Sequence, residues 1–394
     1  MVVANATVLI NFNHYILPPA ACFWEFQPNM SLDKKRTKPW LRFCIALILA
    51  LITAEIVTRA FIVSPSRQQY DAELGYRWKP NSWHFNAIEG GAYNRINNIG
   101  LFDDDLPIPG RSRKIAVLGD SFVESLQLPQ KYNFTSLLEE KWQEANFING
   151  GHGGFNPSHY PYVLKRILTK TNVDLTILFL HPGEITGLVT NRTNIIRDDN
   201  NMIVDITPKL EANTGLKKIV DPFILRSAFI YHFFRQIKPV FDNLKQNIKT
   251  LASPKDQNIE ENKNPSADVK TLISELGVER FKIVLQKLKA LSNNNLIIVY
   301  FDEISYGLNA TTKRANDLNE DEIYKLTGLS LNVPVFDISD SLTNYYHKTH
   351  QPPFGFHNTS LTDGHLNRAG HQVVADAIAS IITNNFPEFE VNNK

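Results

Sequence analysis

The sequence predicts an α/β protein, a three-layer α/β/α sandwich around a five-stranded parallel sheet, preceded by an N-terminal transmembrane helix. Three observations carry this. First, five short apolar runs read as buried strands: KIAVLG (114–119), NFING (146–150), DLTILFL (174–180), NLIIVYF (295–301) and VPVFDI (333–338). Second, the stretches between them, such as FTSLLEEKWQEA and VERFKIVLQKLKAL, have helical spacing, and strands alternating with helices build a parallel sheet covered on both faces. Third, residues 40–63 (WLRFCIALILALITAEIVTRAFIV) form an apolar segment close to the length that crosses a bilayer.

The apolar segment is interrupted by Arg42, Glu55 and Arg59. Glu55 and Arg59 stand four apart on one helical face, where they can pair or reach the interface. An uncleaved anchor is favoured over a signal peptide cleaved after Ile52, Thr53 and Ala54. Lys34, Lys35, Arg36, Lys38 and Arg42 crowd its amino side, so residues 1–39 are expected in the cytoplasm and everything after about residue 64 outside, giving a single-pass protein. Residues 1–29 fit poorly before such an anchor, and Met30 is the expected start of translation.

The exported part has its own divisions. Residues 64–113, rich in Asn, Gly, Pro and aromatics, are expected to be an irregular extension packed on the sheet domain of residues 114–394. A long insertion, about 184–294, separates the third and fourth strands and includes a polar stretch, 253–268, expected to be a mobile linker. The aromatic, basic run after Pro222, interrupted by Pro239, reads as a cap helix pair, or as a basic amphipathic surface resting on anionic lipid or forming a lid over the site.

Composition narrows the chemistry. The chain has 394 residues and a formal net charge of +1, which gives no electrostatic footprint for nucleic acid. Its two cysteines, Cys22 and Cys44, both precede the sheet domain, so that domain has no thiolate nucleophile and no cysteine-ligated zinc. His152 and His181 have no partner at metal-ligand spacing, and no metal or cofactor is expected. GDSF lacks the lysine and extended glycine pattern of a P-loop.

The first strand ends in Gly119, Asp120 and Ser121. A serine there lies at the open mouth of a parallel sheet, although Asp or Ser also caps helices in ordinary βα loops. Near the other end, LTDGHLNRAGH (361–371) precedes a helix whose face is marked by Val374, Ala377, Ile378 and Ile381, placing Asp363 and His365 in the loop before it. A serine hydroxyl needs an imidazole to take its proton, and the imidazole needs a carboxylate to fix its tautomer; Ser121, His365 and Asp363 supply these types.

GDSF (119–122), NGGHGGF (149–155) and DGHLNRAGH (363–371) resemble the ordered blocks of the GDSL or SGNH hydrolase superfamily, over a stretch from about residue 114 to the end. YRWKPN and NRINNIGLF upstream resemble the extension of its membrane-anchored members. The resemblance implies a flavodoxin-like SGNH hydrolase fold, with Ser121 as nucleophile, His365 as base and Asp363 as its orienting acid. It also implies an oxyanion hole built from the backbone N–H groups of Ser121 and Gly154, and makes His371 the helix-start residue. One block departs. The family ends its third strand in Gly-x-Asn-Asp, whereas this chain has Gly183 and Glu184, leaving His181, or a backbone N–H in the Pro182–Gly183 turn, to take the place of the asparagine. The implied function is a membrane-anchored serine esterase acting on acyl esters of carbohydrate or lipid, with O-acetyl groups of cell-surface carbohydrate as the leading substrate and a periplasmic location if the source is bacterial. An acyltransferase to sugar hydroxyls, and a non-catalytic glycan-binding or assembly module on the same fold, are the alternatives.

Overall fold

A computed structural model describes residues 38–62, 68–86, 89–189, 192–210, 226–233, 267–302, 304–306, 312–314 and 320–387. The expected start at Met30, the linker 253–268 except its last two residues, and most of the run after Pro222 lie outside the described residues. The chain divides into two compact units, residues 1–49 and 50–394.

Helix α1 (Pro39–Phe61) has 23 residues. At 1.5 Å per residue it is about 34 Å long, against a hydrocarbon core of about 30 Å. It is long and apolar enough to cross a membrane. Glu55 and Arg59 do pair, at 2.6 Å. The Glu55 carboxylate also accepts from the Ser227 hydroxyl (2.6 Å) and from the backbone N–H groups of Ala228 (3.0 Å) and Phe229 (2.9 Å), so it caps the start of the helical residues 228–233.

Residues 64–113, expected to be irregular, hold two antiparallel hairpins: β1 (Gln68–Asp71) with β2 (Gly75–Trp78), and β3 (Ser82–Asn86) with β4 (Ala92–Ile96). Strands of four or five residues with mixed polar content carry too few alternations to stand out in sequence. The sheet domain follows with β5 (Arg113–Gly119), α2 (Ser121–Glu124), α3 (Phe134–Lys141), β6 (Ala145–Gly151), α4 (Tyr160–Leu168), β7 (Leu175–Leu180) and α5 (Glu184–Val189). The insertion contributes a hairpin, β8 (Thr193–Arg197) with β9 (Ile203–Pro208), and the long α6 (Ala267–Leu291). Then come β10 (Leu296–Tyr300), the small hairpin β11 (Ile304–Tyr306) and β12 (Thr312–Arg314), α7 (Glu320–Ser330), β13 (Val335–Asp337), α8 (Ser339–Thr349) and α9 (Arg368–Asn385).

The central sheet has the order β13-β10-β7-β5-β6, every pair parallel. Numbered along the chain, this is the flavodoxin-like 2-1-3-4-5 arrangement, and its five strands lie within two residues of the five apolar runs. Alternate residues of β5 face opposite layers. Ala116 and Leu118 join α4, α6 and α7 in one core, while Ile115 and Val117 join α3, α8 and α9 in the other. The chain reverses direction across the sheet between β5 and β7, so the carboxyl ends of these two strands flank the switch point where such sheets bind ligands.

Candidate active site

Ser121 stands where β5 turns directly into α2. The turn is tight: a Cβ on Gly119 would lie 2.4 Å from Val123 Cγ2 and 2.8 Å from the Phe179 carbonyl oxygen, so only glycine fits. Asp120 caps α2 by accepting from the Phe122 N–H at 2.9 Å. The Ser121 Oγ lies 2.9 Å from His365 Nε2.

His365 is fixed from both sides. Asn367 caps α9 through the N–H groups of Ala369 (3.0 Å) and Gly370 (3.1 Å), and the His365 carbonyl accepts from the Gly355 N–H at 2.9 Å. Its Nδ1 lies 2.6 Å from Glu89 Oε2, and its backbone N–H donates to Glu89 Oε1 at 3.1 Å. A carboxylate at Nδ1 holds the proton there and leaves Nε2 as the acceptor for the serine hydroxyl.

The carboxylate at His365 Nδ1 is therefore Glu89, in the turn between β3 and β4, and not Asp363, where the sequence placed it. Asp363 is exposed, and its carboxylate accepts from the Gly364 N–H at 2.7 Å. Gly364, at φ +98°, takes a left-handed turn in which a Cβ would sit 2.6 Å from Glu89 Oε1. The loop thus turns Asp363 outward and opens the approach to the carboxylate from the extension. Glu89 is pinned in turn: Gly90 exchanges hydrogen bonds with the Asn358 side chain (2.9 and 2.8 Å), and the Gly91 N–H donates to the Gln127 carbonyl at 3.1 Å. Burial works to raise the Glu89 carboxyl, but the hydrogen bonds and charge of His365 outweigh it and hold it below the usual range. Sequence did carry a signal, Glu-Gly-Gly between the short runs SWHFN and AYNRI, but nothing in it pointed to His365.

The glycine-rich loop after β6 passes beside Ser121. A Cβ on Gly153 would lie 3.5 Å from Ser121 Cβ, and one on Gly151 would lie 2.2 Å from the Glu124 nitrogen. Gly154 takes φ +81°. The Gly153 N–H donates to Glu124 Oε2 at 2.8 Å, while the other carboxylate oxygen accepts from the Trp78 indole N–H at 2.5 Å. Glu124 thereby clamps this loop to β2, and Tyr76 adds a longer bond to the Gly153 carbonyl at 3.3 Å. Burial pushes the Glu124 carboxyl up to about 8. Its contribution to stability is thus full below the ordinary carboxylate range and is lost as pH rises through about 8. Glu124→Ala leaves two buried donors without an acceptor, and urea unfolding is expected to show a loss of about 2–4 kcal/mol together with loss of that alkaline slope. A loss within experimental error would mean that water replaces the clamp.

At the end of β7 the two candidate substitutes for the missing asparagine separate. The Gly183 N–H donates to Glu320 Oε2 at 2.8 Å, which commits it elsewhere and removes it as an oxyanion donor. His181 Nε2 lies 2.7 Å from Asp120 Oδ2, bridging the ends of β5 and β7 across the switch point. Burial opposes the imidazolium, but Asp120 prevails by charge and hydrogen bond and lifts His181 to about 9, while Asp120 is lowered for the matching reason. His181 Nδ1 has no hydrogen-bond partner among the described residues.

Asp120, His181 and Glu184 bring potential ligand atoms within 4.8 Å of one another, a gathering that their sequence spacing does not reveal. The atoms are already engaged: Glu184 accepts from the Tyr160 hydroxyl at 2.7 Å, and burial with the neighbouring Asp120 charge raises its carboxyl well above the usual range. His181 Nε2 and Asp120 Oδ2 face each other at 2.7 Å, so these two atoms are committed to one another. His371, buried and lowered to about 3 by desolvation, lies 2.8 Å from the Ser125 hydroxyl and accepts from the Phe134 N–H. It ties α9 to α2 and α3.

No protein-family model and no curated protein matches the chain. Among solved structures, a member of the lipolytic protein G-D-S-L family from Veillonella parvula DSM 2008 is 13% identical over 69% of this chain and 99% of its own, with a TM-score of 0.34. The acetyl xylan esterase AlAXEase is 14% identical over 68% of this chain and 99% of its own (TM-score 0.36). A two-domain esterase active on acetylated mannans is 13% identical over 72% of this chain and 52% of its own (TM-score 0.35). Likenesses of this size do not decide family or activity. What the chain itself presents is a five-stranded parallel α/β sheet with a serine, a histidine and a glutamate in hydrogen-bonded series at its switch point.

Proposed function

We propose that this protein is a serine esterase, anchored to the membrane by α1 with its sheet domain on the extracytoplasmic side, that cleaves ester-linked acyl groups, O-acetyl groups of cell-surface carbohydrate being the substrate class we favour. The observation that carries the reading is the series Ser121 Oγ, His365 Nε2, His365 Nδ1, Glu89 Oε2, with separations of 2.9 and 2.6 Å. A solvated surface serine has no need of an imidazole oriented by a second carboxylate; a nucleophile does.

The chemistry follows from these positions. Ser121 Oγ attacks the ester carbonyl carbon as its proton passes to His365 Nε2, and Glu89 stabilises the imidazolium. The Ser121 and Gly154 N–H groups and the His181 imidazolium receive the developing oxyanion. Collapse expels the alcohol, which takes the proton from His365, and leaves an acyl-serine that water hydrolyses by the same steps reversed. A sugar hydroxyl taking the place of water would give acyl transfer.

The full chain in lipid nanodiscs is expected to react with a fluorophosphonate probe at Ser121 alone, located by mass spectrometry, with no adduct in Ser121→Ala. Failure of the folded protein to label would remove the esterase reading and leave the binding module.

A further inference from the structure

The outer face of the β3–β4 hairpin is unusual. Register places Trp83 opposite Arg95 and Phe85 opposite Tyr93, so these four residues share one face, while His84, Asn94 and Ile96 are buried on the other. Trp83 and Tyr93 stack at 5.1 Å with their planes 10° apart, yet they remain 49% and 62% exposed. They line an open pocket of about 740 Å³. Its walls carry Arg95, Arg111 and Lys131 against Asp104, Glu139 and Glu140, three cations balanced by three carboxylates.

The same hairpin supplies Glu89. Tyr93 follows it by four residues and Trp83 precedes it by six, which places them within about 14 and 21 Å of it along the chain. Neither Ser121 nor His365 lines this pocket, so a ligand that rests on the aromatic pair and also meets Ser121 is an extended chain rather than a single sugar. Balanced charge gives no pull on phosphate or on polyanions. Flat, exposed aromatic faces beside mixed donors and acceptors suit a ligand with apolar ring faces and a rim of hydroxyls.

We propose that Trp83 and Tyr93 form a binding subsite for an uncharged polysaccharide chain, holding the polymer whose acyl groups are presented to Ser121. This inference rests on the esterase reading for its purpose but not for its test. With the full-chain Ser121→Ala protein in nanodiscs, cellohexaose, xylohexaose and mannohexaose are titrated while tryptophan fluorescence and ligand NMR line width are followed. At least one hexasaccharide is expected to bind, and Trp83→Ala/Tyr93→Ala to weaken it by about tenfold or more, a size typical of losing a buried aromatic anchor. Trp83→Tyr is expected to restore part of the affinity, which separates loss of stacking from misfolding. In the protein with Ser121 intact, the ratio of kcat/KM on partially acetylated polysaccharide to that on p-nitrophenyl acetate is expected to fall in the double alanine variant. No binding by any of the three sugars, binding indifferent to both substitutions, or self-association of the protein through this face would overturn the subsite. Sugar binding without any ester turnover would sink the esterase reading and leave the subsite standing.

Discussion

Glu89→Gln is expected to lower kcat on p-nitrophenyl acetate by about 10⁴, whereas Asp363→Asn stays within about twofold. The amide cannot carry the negative charge that the imidazolium needs, and it offers an NH₂ group to Nδ1 as readily as an oxygen, which favours the tautomer with its proton on the wrong nitrogen. Glu89→Asp keeps the charge but draws it back by one methylene, and a displacement near 1 Å costs about a hundredfold. Because the Glu89 carboxyl lies below its ordinary range, its contribution to stability is present above that range and is lost as pH falls through the lowered value. The variant is therefore expected to show a shallower acid limb in a pH-melting series. The reverse pattern, with Asp363→Asn inactive and Glu89→Gln active, would return the orienting role to Asp363 and require the loop at Gly364 to rearrange.

His181→Ala is expected to lower kcat by about 10²–10³, the size of losing one oxyanion donor, with little change in KM. It also leaves Asp120 without its buried cationic partner, and thermal or urea unfolding should show a loss of about 3–5 kcal/mol. His181→Asn separates these effects, since a neutral amide can donate to an oxyanion without titrating. The folded His181 is raised to about 9, so the stability of its pair with Asp120 is full below the ordinary histidine value and is lost as pH rises through about 9. Wild-type kcat should fall over that upper range, and the fall should be absent in His181→Asn. A wild-type rate that is flat through pH 10, with His181→Ala unimpaired, would leave the oxyanion to Ser121 and Gly154 alone.

Reliance of the site on the extension is the feature sequence concealed most completely. Residues 64–113 bring Glu89 to His365 Nδ1 and brace the glycine-rich loop through Trp78 and Tyr76. In sequence these are isolated residues among turns, without the periodicity that marks a helix or a long strand. Nothing in the sequence marks Glu124 either, since its burial comes from Trp78 of the extension and Gly153 of the loop after β6, both distant along the chain.

Other parts were legible for definite reasons. Strands β7 and β10 are buried at every residue and β5 over its last five, so they stand out as apolar runs whatever their neighbours. The strand-to-helix turn that bears Ser121 needs a glycine and a capping acid, and it has Gly119 and Asp120. His365 precedes an asparagine that visibly caps the last helix. By itself, then, the sequence determined the sheet and placed Ser121 and His365 at the entrances to helices α2 and α9, because the turn and cap beside each need particular residue types. Only the tertiary structure decided that Glu89 stands at His365 Nδ1 and that His181 pairs with Asp120. Glu89 and His365 are 276 residues apart, and Asp120 and His181 are 61 apart. No local rule selects one acid among many at such separations; the choice is made where the hairpin turn and the ends of β5 and β7 converge on one rim of the sheet.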